Sequence, residues 1–184
     1  FRNVIRNKVN SMEFKYSEPV TDFSDGLMAL KAYHEDFLTR GEKLLQLAFE
    51  LKAKGMDETY AHQCMAMFCH YEHANHLHHQ DEELALFPLL VGKSALFDGM
   101  IERLMLDHEE IEAAWLALAE QLKQPDAITD FENLQRLAID FEKIQREHLT
   151  REDEDFAPLV KAELTDEQRK VVGTKMAELR HLSV

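Results

Sequence analysis

One arrangement of residues occurs twice in this chain and restricts its fold more than any other feature. His78-His79-Gln80-Asp81-Glu82-Glu83-Leu84-Ala85-Leu86-Phe87-Pro88 and His148-Leu149-Thr150-Arg151-Glu152-Asp153-Glu154-Asp155-Phe156-Ala157-Pro158 each place a glutamate four residues after a histidine and a proline ten residues after it. On a helix, a spacing of four stacks the imidazole over the carboxylate on one face. The duplication therefore predicts two helices that present the same ligand pair near the same terminus, as a two-metal site between helices requires.

The rest of the chain suits a helical host. Six glycines and four prolines in 184 residues leave little turn chemistry for a sheet protein, while the abundant long aliphatic and charged residues form helices well. The length predicts one domain with a sizeable core. A net charge of −14 repels the phosphates of nucleic acid and of an anionic membrane surface, so neither is expected as a partner. No apolar run approaches a membrane span, and no charged start followed by an apolar stretch marks a secretory leader, so the expected location is the cytoplasm. Cys64 and Cys69 lie five apart in one helical segment, cannot close a comfortable disulfide and are expected to stay reduced. Residues 1–11 carry Arg2, Arg6 and Lys8 but no acid and no helical stripe, and Met12 is a candidate natural start. Residues 1–21 thus read as an N-terminal extension, native or partly added, ahead of a domain spanning 22–184.

Apolar periodicity divides that domain into helices. The first is expected to start after Asp22 or Ser24 and stop at Gly55, with Leu27, Leu30, His34, Phe37, Leu38, Leu45 and Ala48 in its stripe. The second runs from Asp57 to about Pro88 and shows Tyr60, Cys64, Met67, Phe68, Tyr71, His78 and Glu82 on a broad face. The third runs from about Leu96 to Lys123, with His108 interrupting a stripe of Ile101, Leu104, Met105, Ile111, Trp115, Leu118 and Leu122. The fourth, from about Asp130 to Phe156, aligns Leu134, Leu137, Phe141, Ile144, His148 and Glu152. Thr165 and Gln168 make a capping-box pattern for a short additional C-terminal helix.

Loop counting tests whether the histidines meet. In an up-down-up-down bundle with short loops, rising about 1.5 Å per residue, His34 lies about 20 residues before the first turn and His78 about 20 after it. His78 then lies about 12 before the second turn and His108 about 11 after it, and His108 about 15 before the third and His148 about 18 after it. The levels agree to within roughly one helical turn. Stripe position gives direction and loop distance gives depth, and the two are independent.

Imidazole and carboxylate without thiolate suit iron or manganese better than structural zinc. Two glutamates among four histidines can bridge two ions. With two histidines, both glutamates and a shared oxide or hydroxide on each ion, a six-coordinate metal keeps one position open for dioxygen, nitric oxide or peroxide.

These residues resemble the signature of the hemerythrin-like (HHE cation-binding) domain family over about residues 24–160. The resemblance implies an all-α four-helix bundle with a non-heme di-iron centre. It also implies that His34, His78, Glu82, His108, His148 and Glu152 are the metal ligands, with both glutamates bridging. Classical oxygen carriers of this family have a fifth histidine one turn from the third-helix ligand, where this chain has Leu104 and Glu112. That departure weakens the expectation of reversible oxygen carriage.

Three further residues keep alternative readings. Glu112, four after His108, is an extra ligand, a partner to a ligand, or an edge residue reaching water. His79 points roughly 100° away from His78 around the helix and is either an additional ligand or a bystander. Tyr71, two turns before His78, either hydrogen-bonds a metal-bound species or lies in the core with its hydroxyl satisfied. His70, His73 and His76 read as a solvated face, as does most of the run from Glu152 to Asp155. Ferritin-like sites use Glu-x-x-His, an order found only at Glu178 and His181.

The expected function is a di-iron protein that binds or responds to dioxygen, nitric oxide or reactive oxygen species, with small diatomic or peroxide ligands as partners. The alternative is a di-iron enzyme that reduces peroxide or nitric oxide, or donates iron for iron-sulfur cluster repair.

Overall fold

In this computed structural model the described residues are 14–182. The expectation for residues 1–11 lies outside them. Side-chain caps set the start of each long helix by accepting N–H groups that have no partner within the helix. Asp25 accepts from Leu27 and Met28 and opens α1 (Gly26–Lys54). Asp57 accepts from Tyr60 and opens α2 (Glu58–Gln80). Ser94 caps α3 (Ala95–Leu122), and Asp130 caps α4 (Phe131–Arg151). A short helix, α5 (Ala157–Glu163), follows α4. The Thr165/Gln168 capping box then forms as expected and opens α6 (Asp166–Leu179). The expected first cap, Asp22 or Ser24, is displaced to Asp25, because Asp22 is engaged in a local turn with the Ser24 N–H at 2.9 Å.

The two repeated motifs end in the same irregularity. After Gln80 the backbone widens into a π-helical turn, Asp81–Leu86, and then tightens into a 3₁₀ turn, Phe87–Leu89. After Arg151 it widens again over Glu152–Phe156. Pro88 and Pro158 cannot donate to the carbonyls of Leu84 and Glu154, four residues back, and both carbonyls fall inside the widened turns. The helices therefore continue through the motifs, but in a changed register that begins beside each glutamate. Such bulges are frequent at functional sites because they re-aim side chains.

Helix α1 packs against α2 and α4, and α3 packs against the same two, so the four long helices close a ring of neighbours. Their apolar stripes meet in a core that includes Leu44, Leu104, Ile111, Leu118, Leu134, Phe141 and Leu149. No strand occurs among the described residues, and no described helix is long and apolar enough to cross a membrane.

Helix α6 lies across α1 and the first π turn. The approach is close at Gly173, where a Cβ would collide with the Phe23 carbonyl oxygen. Arg180, just after α6, donates to both oxygens of the fully buried Asp81 at 2.6 Å and lies 4.5 Å from the Tyr33 ring centre. The C-terminal helix thereby holds the residue immediately before Glu82. Arg180→Met is expected to strand the buried Asp81 carboxylate at a cost of about 3–5 kcal/mol, part of which Asp81→Asn should restore. Denaturant midpoints of both single variants and the double variant measure this. An unchanged midpoint for Arg180→Met would show that α6 is not anchored there.

Candidate metal centre

Each repeated motif forms its stacked pair. His78 Nε2 lies 3.2 Å from Glu82 Oε1, and His148 Nε2 lies 3.4 Å from Glu152 Oε2. The single histidines of α1 and α3 come in from the sides. His34 Nε2 is 3.1 Å from Glu152 Oε2 and 3.6 Å from Glu82 Oε1, and His108 Nε2 is 2.8 Å from Glu82 Oε2. All six residues are at most 4% exposed. They divide into two groups, His34, His78, Glu82, Glu152 and Glu82, His108, His148, Glu152, and the ligand atoms within each group lie within 4.8 Å of one another. Both glutamates belong to both groups.

The donor atoms fit metal ions better than they fit one another. His34 Nε2, His78 Nε2, His148 Nε2 and Glu152 Oε2 are buried without a hydrogen-bond partner, despite the short separations. Buried polar atoms left unsatisfied cost free energy and are rare unless something else satisfies them. Here they converge, and an ion in each group would satisfy them together.

The opposite ring nitrogens of His34, His108 and His148 are held by a second set of acids that the sequence reading missed, whereas that of His78 is buried without a partner. His34 Nδ1 bonds to Asp153 at 2.7 Å, His108 Nδ1 to Glu83 at 2.7 Å, and His148 Nδ1 to Asp107 at 3.3 Å. Such partners fix the tautomer and orientation of metal-binding imidazoles. Asp153 and Glu83 are the residues immediately after Glu152 and Glu82, so each motif supplies a carboxylate to the centre and clamps the single histidine of another helix. Asp107 is itself held by Arg103 at 2.7 Å and by Arg151. The legible signal was an acid adjacent to a ligand at all three places; spacing alone could not say which imidazole each would reach.

Charge balance among these side chains follows from their contacts. Burial opposes protonation of His34, but Asp153, Glu152 and Glu82 outweigh it and hold its pKa well above the ordinary histidine range. Burial likewise opposes protonation of His108, yet Glu82 and Glu83 raise it to about 9. Burial would raise Glu82, but His78, His108 and His34 hold it well below the usual carboxylate range. His79 is pushed well below its ordinary value by burial and by its neighbours His108 and His78.

His79 is brought into the centre. It forms a third group with His108 and His148, its ring centre 4.0 Å from that of His108. A helix inside a ring of neighbours sees the interior over a broad arc, so two successive positions about 100° apart can both point inward. Glu112 does not join any of these groups. It is a partner to histidines, 3.4 Å from His79 Nδ1 and 3.1 Å from the exposed His76. Tyr71 is fully buried among Phe37, Trp115 and Phe141, so its core placement holds, but its hydroxyl meets no protein partner and the satisfied hydroxyl of that reading is not found. The reading of His70, His73 and His76 as one solvated face holds only in part. His73 and His76 are exposed, whereas His70 is buried 3.3 Å from Asp36, because steps of three drift around a helix of 3.6 residues per turn.

A half-open cavity of about 480 Å³ leads from the surface beside α1 and α5 to His34, Glu82 and Glu152. His79, His108 and His148 do not line it. No curated protein matches the chain. The family model for the hemerythrin HHE cation-binding domain matches residues 25–160, the stretch from the cap of α1 through the second motif and into α5. With that match spanning most of the sequence and its helices enclosing the paired histidine–glutamate groups, the chain belongs to the hemerythrin HHE cation-binding domain family.

Proposed function

We propose that this chain is a non-heme di-iron protein that binds or responds to dioxygen, nitric oxide or reactive oxygen species. The observation that carries this reading is the pair of buried ligand groups that share Glu82 and Glu152 while keeping separate imidazoles. Helices alternating up and down would bring those ligands to one level through short connections. A thiolate-free set of imidazoles and carboxylates suits iron. The free cysteines Cys64 and Cys69 fit a reducing compartment such as the cytoplasm.

In the loaded protein His34 and His78 would hold one ion, His108 and His148 the other, and Glu82 and Glu152 both. A bound iron pair supplies electron transfer and an exchangeable position for a small ligand. His79 alters the equal sharing expected from sequence. Its counterpart in the second motif is Leu149, so a third imidazole, grouped with His108 and His148, would be available to the ion they hold and not to the other. The exchangeable position would then fall to the His34/His78 ion, the side that the cavity reaches. Glu112, beside His79 Nδ1, orients that ring as Asp153, Glu83 and Asp107 orient theirs. One filled ion beside one open ion favours ligand binding as the activity.

Iron-loaded protein is expected to contain two ions per chain by metal analysis; a single ion would sink the di-iron reading. Anaerobic addition of dioxygen, nitric oxide and peroxide, one at a time, to the ferrous protein then separates binding from turnover. A spectral change that reverses on degassing supports binding, whereas irreversible oxidation with repeated consumption of oxidant would make the protein an enzyme.

A further inference from the structure

The cavity is far larger than a diatomic ligand needs. At about 480 Å³ it falls within the range of small-molecule sites, where a water in the liquid takes up only about 30 Å³. Its walls are mainly apolar, with Leu27, Leu30, Leu86, Phe156 and Val160 between the floor and the surface. Met28, 68% exposed, also borders it.

The charges along it are distributed unevenly. The floor carries Glu82, Glu152 and Asp153, whereas Lys31 and Lys161 line the cavity as exposed residues. Neither lysine makes an ion pair among the described residues, although the chain as a whole carries a net charge of −14. His34, on the floor, is paired with those three acids, and Arg169, the other cation of the lining, is bound to Asp25. That leaves two compact ammonium charges and no free guanidinium fork of the kind that recognises phosphate in a bidentate manner.

We propose that this cavity binds an aliphatic monocarboxylate, with the chain lying between Leu30, Leu86, Phe156 and Val160 and the carboxylate held outward at Lys31 and Lys161. Outward placement keeps the carboxylate partly hydrated and away from three acids; inward placement would bury it beside them. A seated chain covers the approach to His34, Glu82 and Glu152, so an occupant would control access of small ligands to that side of the centre. This binding site does not require metal.

Titration calorimetry with sodium hexanoate, octanoate and decanoate, on metal-free and on iron-loaded protein, tests the proposal. Each added methylene should tighten binding roughly three- to fourfold until the cavity is full, in both forms. The double variant Lys31→Glu/Lys161→Glu, altered only at exposed positions, should bind decanoate at least tenfold more weakly, and 1-decanol should bind the unaltered protein more weakly than decanoate does. Met28→Trp, at the exposed edge, should obstruct decanoate while circular dichroism stays unchanged. Decanoate should also slow azide binding to the loaded protein. Affinity independent of chain length, or no binding in either form, overturns the proposal. Binding to the loaded form alone overturns the outward orientation, since the carboxylate would then be on metal. A chain that holds two irons and ignores every carboxylate retires this inference alone; one that binds decanoate but holds fewer than two irons retires the di-iron reading and leaves this one standing.

Discussion

Glu82→Ala or Glu152→Ala is expected to reduce bound iron from two ions per chain to one or none, a larger loss than any single histidine replacement should cause. Each glutamate belongs to both ligand groups, so its removal takes a carboxylate from both ions and leaves like-charged metals with one bridging carboxylate where there were two. Replacing His34 or His78 affects only one group and should release the ion on the cavity side while the other is retained. Replacing His148 should have the converse effect. His79→Leu reproduces the residue found at the equivalent place in the second motif, and should weaken retention of the His108/His148 ion without emptying the centre. His73→Ala and His76→Ala lie at exposed positions and should keep both ions. Metal analysis after iron loading and desalting reads the whole series. Two irons retained in both glutamate variants would refute the shared-bridge arrangement.

The contrast among these variants also marks where the sequence was informative. His34, His78, Glu82, His108, His148 and Glu152 were legible because helical periodicity gives direction and distance from a loop gives height, and both are nearly rigid properties of an α-helix. The helix limits were legible for a related reason: Asp57, Asp130 and the Thr165/Gln168 box satisfy N–H groups that lie next to them in sequence. The π turns were not, because a change of register at Asp81 and Glu152 depends on how the chain passes Pro88 and Pro158, and ordinary periodicity contains no trace of it. The clamps escaped for another reason. Asp153 and Glu83 sit in acidic runs that look solvated, and only packing shows that one acid of each run turns to another helix. His79 was ambiguous because the width of the interior seen from α2 is a property of the assembled helices and not of any one of them.

Metal removal is expected to lower the melting temperature strongly, and to leave a protein whose stability runs the opposite way with pH. Each ion held at about 100 times its dissociation constant adds about 2.7 kcal/mol, so two ions correspond to a rise on the order of 10–20 °C for a chain of this size. In the metal-free state, His34 and His108 take over part of the metal's role by carrying protons beside Glu82, Glu83, Glu152 and Asp153. His108 titrates near 9 in the folded protein against 6.5 unfolded, and His34 is raised in the same direction. Between these values the folded chain binds more protons than the unfolded one, so stability falls as pH rises. The contribution of His108 is therefore complete below about pH 6.5 and lost as pH passes about 9. His79, lowered by burial, works the other way, but its effect ends once the unfolded chain loses that proton just above pH 6.5, so over the rest of the window it does not oppose the slope. Metal binding requires the imidazoles unprotonated, so affinity grows as pH rises through the same range. Melting curves at pH 6.5, 7.5 and 9 should accordingly show the metal-free protein weakening while the loaded protein holds or gains, so that the gap widens with pH. Equal melting temperatures with and without iron, or parallel slopes, would mean that protons and metal do not compete for these imidazoles, and the centre would have to lie elsewhere.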